Sequence, residues 1–295
     1  MAQGSQRDSA CSRSFSSASS ALKKDIAVLL DPTHVASLLL LGAAAGFAAG
    51  LMGVGGGMLL VPFLTAIFSA QQFPHEHVIH MAVATSLAVI LFTSVSSVRA
   101  HHQRGAVLWH VVRVLAPGIL VGSLAGAQVA ALLPTVWLAY GFAAFLAFSA
   151  TQMLRDRTPT GQRELPRAPG MVVAGIVIGV LSSLVGGGGG FISVPFMVWC
   201  NVRIHNAIAT SAALGFPIAA AGTIGYIVAG WRAPGLPAGS AGYVYLPALA
   251  AVASASVLTA PLGARVAHAL DTRLLKRVFA CLLYLLAAYM LTKAL

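Results

Sequence analysis

Long apolar segments, separated by short polar or glycine-rich stretches, make up most of this chain. A helix needs roughly 20 apolar residues to cross a bilayer. Lipid offers no partner to exposed backbone groups, so helices are the spanning element that fits such segments. Each half of the chain is predicted to form two shorter helical pieces around a glycine break, followed by three full-length helices. The predicted segments are about 35–52, 58–70, 78–98, 110–132 and 135–154 in the first half, and 171–185, 191–200, 206–229, 243–264 and 274–292 in the second.

The composition is typical of a membrane protein rather than a soluble one. Of the 295 residues, 58% are hydrophobic and 8% are charged, whereas a soluble domain carries about 25% charged residues. No charged residue occurs within 32–75, 114–154 or 168–202. These features exclude an ordinary soluble domain and predict an all-α polytopic membrane protein.

The chain carries a formal net charge of +11. In a soluble protein this charge would suggest nucleic acid as a partner. Here the basic residues lie in short loops, where positive charge sets the orientation in the membrane and contacts anionic lipid. We therefore expect the lipid bilayer as a partner and no nucleic acid.

The polar stretches divide the chain into four parts. Residues 1–34 form a tail, predicted to be flexible, in which eight of the first twenty residues are serine. No apolar core precedes a cleavage site there, so the tail does not resemble a signal peptide. Residues 35–154 form a first membrane repeat, 155–169 a polar linker, and 170–295 a second membrane repeat.

Two sequence motifs occur once in each half. Residues 53–63 read GVGGGMLLVPF, and residues 186–196 read GGGGGFISVPF, 133 positions later. Residues 80–86 read HMAVATS, and residues 205–211 read HNAIATS, 125 positions later. The ordered matches indicate an internal duplication with loops of different length.

Two topologies fit these repeats. If each glycine pair forms a re-entrant hairpin, the chain has six spans plus two hairpins, and the halves are inverted. If each pair crosses once as a broken helix, there are eight spans and the halves are parallel. Basic loops occur at 99–113, 155–169 and 265–277. Under either scheme, one group of basic residues in the chain lies on the wrong side of the membrane, so the positive-inside rule does not decide between them. Many transporters use inverted repeats, which favours inversion.

The glycine breaks are the candidate binding site. Consecutive glycines end a helix, and the first N–H groups of the next helix lack internal partners and carry partial positive charge. Without side chains in the way, a small anion can approach this backbone closely. Valine at Gly56 or Gly189 is expected to block binding without unfolding the protein. The candidate substrate-binding glycines are Gly53, Gly55, Gly56 and Gly57 in the first break, and Gly186, Gly187, Gly188, Gly189 and Gly190 in the second.

Other residues near the breaks have predicted structural roles. Pro62 and Pro195 follow the glycines within the apolar segments and are expected to kink the emerging helices. Spaced glycines, in contrast, allow helices to pack closely. That role is predicted for Gly42, Gly46, Gly50, Gly175 and Gly179.

Matched polar residues could add ligands from the helix that follows each break. Hydroxyl groups in membrane helices often bond only their own backbone, and histidines often anchor a helix at the interface. The matched placement favours a role in binding, and a histidine could also follow a proton. The candidates are His80, Thr85 and Ser86 in the first half, and His205, Thr210 and Ser211 in the second.

The seven acidic residues all lie outside the apolar segments. Carriers of protons or cations usually place carboxylates in the membrane, so the sequence favours an anion as substrate. No arrangement typical of an enzyme occurs at membrane depth, and neither a metal site nor a cofactor is expected. The His-Glu-His stretch at 75–77 is weak support for metal binding.

The paired glycine motifs ending in Val-Pro-Phe, each followed by an Ala-Thr-Ser helix, resemble the TauE/SafE sulfite-exporter family (TSUP). The resemblance covers about residues 35–295. It implies a multi-pass permease of the bacterial inner membrane for sulfite, sulfonates, thiosulfate or related organosulfur anions. The family's motif positions fall on the glycines above and on the two prolines. Val54 stands where the second copy has Gly187, so the half-sites are expected to be unequal.

Together these features predict a permease that binds a small anion at the paired glycine breaks and works by alternating access. Two alternatives stay open at this point. One is a transporter of another solute class, such as a metal ion or an amine. The other is a membrane scaffold or assembly factor that binds partner helices through small-residue faces. The sequence leaves the oligomeric state open, including a homo-oligomer.

Overall fold

The computed structural model describes residues 32–52, 57–103, 105–155, 164–267 and 272–294. Most of the predicted tail and of the linker, and Gly53, Gly55 and Gly56, lie outside the described residues. The elements are α1 (Pro32–Met52), α2 (Gly57–Ala70), α3 (Val78–Gln103), α4 (Trp109–Leu132), α5 (Thr135–Arg155), α6 (Ala168–Val185), α7 (Gly190–Trp199), α8 (Ile204–Gly230), β1 (Ser240–Ala241), β2 (Val244–Tyr245), α9 (Leu246–Ala267) and α10 (Thr272–Ala294).

Five of these helices, α3, α4, α5, α6 and α8, are long and apolar enough to cross a membrane. Large apolar side chains such as Leu120, Val121 and Leu124 of α4 are exposed on the outside of the bundle. Such a surface suits lipid and not water. The predicted class, an all-α polytopic membrane protein, agrees with this architecture.

The first helix of each half packs against the fourth helix of the other half. In one pair, α1 contacts α9, with Gly42 against Val252 and Gly46 against Ser256. A Cβ atom at Gly42 would lie 2.8 Å from the Cα atom of Val252, so the helices meet backbone to backbone. Because both residue numbers rise together, α1 and α9 run parallel.

The second pair repeats this arrangement with the halves exchanged. Here α6 contacts α4, with Gly175 against Leu115 and Gly179 against Ile119. These helices also run parallel. The predicted packing role is thus confirmed for Gly42, Gly46, Gly175 and Gly179.

The two helices that carry the repeated His…Thr-Ser motif, α3 and α8, pack against each other at the centre. A Cβ atom at Gly222 would lie 2.9 Å from Leu87, and one at Gly215 would lie 3.8 Å from Ser94. One residue number rises as the other falls, so α3 and α8 run antiparallel.

The connection before α9 differs from the sequence-based prediction of a helix from residue 243. Residues 240–245 form a small antiparallel hairpin in which Ser240 pairs with Tyr245, and α9 begins only at Leu246. Gly239 and Gly242 adopt positive φ angles of 85° and 56°, which turn the chain. The apolar residues before α9 are buried in this hairpin and are not part of the helix.

Candidate functional site

The second glycine break is a sharp turn between α6 and α7. Gly186 ends α6 with a φ angle of 66°, and its N–H group donates to the carbonyl of Ser182. Gly189 has a φ angle of 75° and directly precedes α7. L side chains rarely adopt such angles, so the turn requires glycine at these two positions.

The backbone N–H groups at the start of α7 are free within the described part of the chain. The carbonyl of Gly189 accepts hydrogen bonds from Ile192 at 3.0 Å and from Ser193 at 2.8 Å. The N–H groups of residues 188–191 donate to no described atom. Free N–H groups at a helix start carry partial positive charge. The second break therefore has the donors that an anion needs.

The first break contacts the second one. A Cβ atom at Gly57, the first residue of α2, would lie 2.8 Å from the carbonyl oxygen of Gly186 and 3.2 Å from the Cα atom of Gly187. Only a residue without a side chain allows this approach. The start of α2 and the end of α6, which belong to different halves, are thus in direct contact.

Ser86 of α3 joins the two breaks. Its hydroxyl donates a 2.9 Å hydrogen bond to the carbonyl of Gly186 and lies 3.4 Å from the carbonyl of Gly57. The matched Ser211 of α8 lies 2.7 Å from the hydroxyl of Ser193, which donates to the carbonyl of Gly189. Both serines therefore lie at the glycine breaks, and both take part in hydrogen bonds within the protein.

The matched threonines lie elsewhere and hold helix starts. Thr85 accepts a 3.1 Å hydrogen bond from the N–H group of Tyr245, just before α9. Thr210 accepts a 3.0 Å hydrogen bond from the N–H group of Leu108, just before α4. Each threonine thus binds the residue that directly precedes the fourth helix of the opposite half. These contacts give both hydroxyls a structural role.

The two matched histidines have different surroundings. His80 is 3% exposed, and its Nε2–H donates to the carbonyl of Ala130 at 3.0 Å and lies 3.2 Å from that of Leu133. Its ring stacks on Tyr243 at 5.3 Å. His205 is exposed. No described contact brings either histidine to the glycine breaks.

Both prolines lie inside helices. Pro62 is within α2 and Pro195 is within α7. Since proline has no N–H group, each removes one hydrogen bond from its helix. Both helices are short, with 14 and 10 residues respectively.

A cavity of about 10 Å³ lies beside the second break. It is lined by residues 187–192, by Ser182 and Val185 of α6, by Met58 of α2 and by Phe145 of α5. The volume is about that of one water position. None of these lining residues carries a charge, so the polar groups that the described residues present to the cavity are the backbone and one hydroxyl.

Ser182 was not among the residues predicted from the sequence. It is 2% exposed, and its hydroxyl has no hydrogen-bond partner among the described residues. Its position one turn before the glycines was the available signal. Within the described ranges, no group of three or more histidine, cysteine, aspartate or glutamate side chains lies close enough to hold a metal ion.

Known proteins resemble this chain over most of its length. A sequence profile described as "Sulfite exporter TauE/SafE" matches residues 38–290. A "Probable membrane transporter protein" of Haemophilus influenzae is 36% identical over 266 residues, which cover 88% of this chain and 99% of that protein.

Two further relatives come from distant organisms. The "Probable membrane transporter protein YdhB" of Bacillus subtilis is 31% identical over 201 residues, or 66% of this chain and 78% of that protein. A probable membrane transporter protein of Methanocaldococcus jannaschii is 26% identical over 257 residues, or 86% of this chain and 94% of that protein. No solved structure gives a significant match.

Proposed function

The chain belongs to the sulfite exporter TauE/SafE family of membrane transporters, and from this we propose that it carries sulfite or a related organosulfur anion across the membrane. The observation behind this proposal is the contact of Gly57 with Gly186 and Gly187, next to the free N–H groups of residues 188–191. The dipoles of these N–H groups attract negative charge, so the site needs no buried cation in the membrane.

The proposed mechanism is alternating access by two inverted repeats. One feature supports inversion: the equivalent helices α3 and α8 run antiparallel. The first helix of each half packs against the fourth helix of the other half, and the contacts of Thr85 and Thr210 follow the same exchange. These reciprocal contacts support two equivalent repeats.

In this scheme α1 and α2 fold back on each other, as do α6 and α7, so each half crosses the membrane an odd number of times. The anion binds where the two breaks meet. The cavity there has room for about one water, so in this scheme the breaks separate to admit the anion as one repeat rocks against the other. The proposed location is the cell (inner) membrane, where helical transporters reside. The partners in this proposal are the bilayer and the anion; a homo-oligomer is compatible with it.

Transport by the purified full chain in liposomes tests this function. Radiolabelled sulfite should accumulate faster than in protein-free liposomes, and unlabelled sulfite should compete. If sulfite crosses no faster than in protein-free liposomes while another anion does, the substrate assignment is wrong. If no anion crosses faster, the proposed transport function is wrong.

A further inference from the structure

The hydroxyl of Ser182 lies at the place where an anion would bind. It lies in the last turn of α6 and lines the cavity beside the second break. Its Oγ atom is 3.1 Å from the point where a side chain on Gly189 would begin. The residue is buried, and the hydroxyl has no partner among the described residues. A buried hydroxyl without a partner lowers stability.

Two serines close to Ser182 in sequence do have hydrogen-bond partners. Ser183 donates a 3.0 Å hydrogen bond to the carbonyl of Val180, within its own helix. Ser193 donates a 2.9 Å hydrogen bond to the carbonyl of Gly189. Serines in helices usually find such a carbonyl three or four residues back. The hydroxyl of Ser182 is instead available to a ligand.

The surroundings of Ser182 also limit the charge of that ligand. The described cavity lining has no arginine, lysine or histidine, so a bound anion meets partial charges only. The desolvation cost of an ion grows with the square of its charge, while hydrogen bonds from neutral donors grow far less. A singly charged anion therefore fits this site much better than a doubly charged one.

We propose that Ser182 donates a hydrogen bond to the transported anion, together with the N–H groups of residues 188–191, and that the site selects the singly charged form. This inference rests on the proposed function. For sulfite, the selected form is hydrogensulfite, the product of protonation near neutral pH. The described residues that line the cavity from α2, α5, α6 and α7 do not titrate, so the pH dependence comes from the ligand.

A comparison of matched positions in the two repeats indicates that only the second half carries this hydroxyl. The position that matches Ser182 in the first half, 133 residues earlier, is Ala49, and the position that matches Ser193 is Leu60. The first break therefore has no equivalent hydroxyl. The anion is expected to bind on the side of the second break, with the start of α2 closing the site.

Isothermal titration of the purified full chain with sulfite tests the role of Ser182. A hydrogen bond to a charged group is worth enough that Ser182→Ala should weaken binding roughly 10-fold or more. Ser183→Ala is the matched control, because it removes a buried hydroxyl from the next residue. Its affinity should stay within about twofold of wild type. Without sulfite, Ser182→Ala should melt at or above the wild-type temperature.

The same titration on the acidic and alkaline sides of neutrality tests the charge. Affinity for total sulfite should rise as the pH falls and hydrogensulfite accumulates. If the affinity stays constant or falls as the pH is lowered, the proposed selection of the singly charged form is wrong. Equal affinity of Ser182→Ala and wild type overturns the role of the hydroxyl and leaves the anion transport proposal standing. Failure of the wild type to bind sulfite at either pH overturns the sulfite proposal itself.

Discussion

Ser86 donates its hydroxyl to the carbonyl of Gly186 at 2.9 Å, across 100 positions of sequence. The same oxygen lies 3.4 Å from the carbonyl of Gly57. One side chain of α3 therefore connects the end of α6 to the start of α2. The connection matters because these two backbones form the place where the anion is proposed to bind.

Replacing Ser86 with alanine should loosen the contact between the two breaks. The loss of this buried hydrogen bond should cost about 0.5–1.5 kcal/mol of stability, and sulfite transport should slow as the breaks separate. Thermal unfolding and liposome flux measure the two effects. Ser254→Ala is the control, since Ser254 is exposed and donates to Ala251 of its own helix. A Ser86→Ala protein with wild-type stability and flux would contradict the role of Ser86 in connecting the two breaks.

The reciprocal threonines should behave as a structural pair. Valine keeps the shape of threonine but removes the acceptor for a buried backbone N–H group. Thr85→Val and Thr210→Val should each cost about 1–3 kcal/mol. Thermal unfolding should show similar losses for both, and little change for Thr292→Val, whose hydroxyl is exposed. A threonine variant of unchanged stability that no longer binds sulfite would instead support the ligand role predicted from the sequence.

The matched histidines should differ in their effect on stability. His80→Ala removes a buried ring that donates to the carbonyl of Ala130, and the expected cost is about 1–3 kcal/mol. His205→Ala changes an exposed side chain and should stay within about 0.5 kcal/mol of wild type. Equal losses in thermal unfolding would show that the two positions are equivalent after all.

Much of this fold could be predicted from the sequence, because apolar length, glycine runs and repeated motifs act over short distances. The segments around both glycine breaks and the packing of Gly42 and Gly175 followed from such local patterns. Contacts between distant parts of the chain could not. Thr85 bonds Tyr245 across 160 positions, and no local pattern distinguishes that role from ligand binding.

The candidate site was predicted in outline only. Ser182 and Ser183 are adjacent in the same apolar helix, and only the rotation of that helix decides which hydroxyl lines the cavity. The two histidines share a motif, but their burial depends on helices packed from other parts of the chain. The hairpin at 240–245 replaced a predicted helical turn because two glycines with positive φ angles bend the chain there.

The structure also changes the choice of glycine for testing the site. Valine at Gly189 was expected to leave the fold intact. The φ angle of 75° at Gly189 and the nearby side chain of Ile218 make any side chain strained there. Gly187 is different, because no described atom lies within 4 Å of its Cβ position and its φ angle is not positive. The first repeat already carries Val54 at the matching position.

Sulfite binding and transport by Gly187→Val provide the sharpest test of anion binding at the glycine breaks. Gly141→Val is the control, because Gly141 is exposed, is not among the lining residues of the cavity, and a Cβ atom there also meets open space. Both variants should fold with melting temperatures close to wild type, and Gly187→Ala provides a milder change at the same site. We expect Gly187→Val to lose sulfite binding and flux, while Gly141→Val keeps both. Wild-type binding and flux in a folded Gly187→Val protein would contradict it.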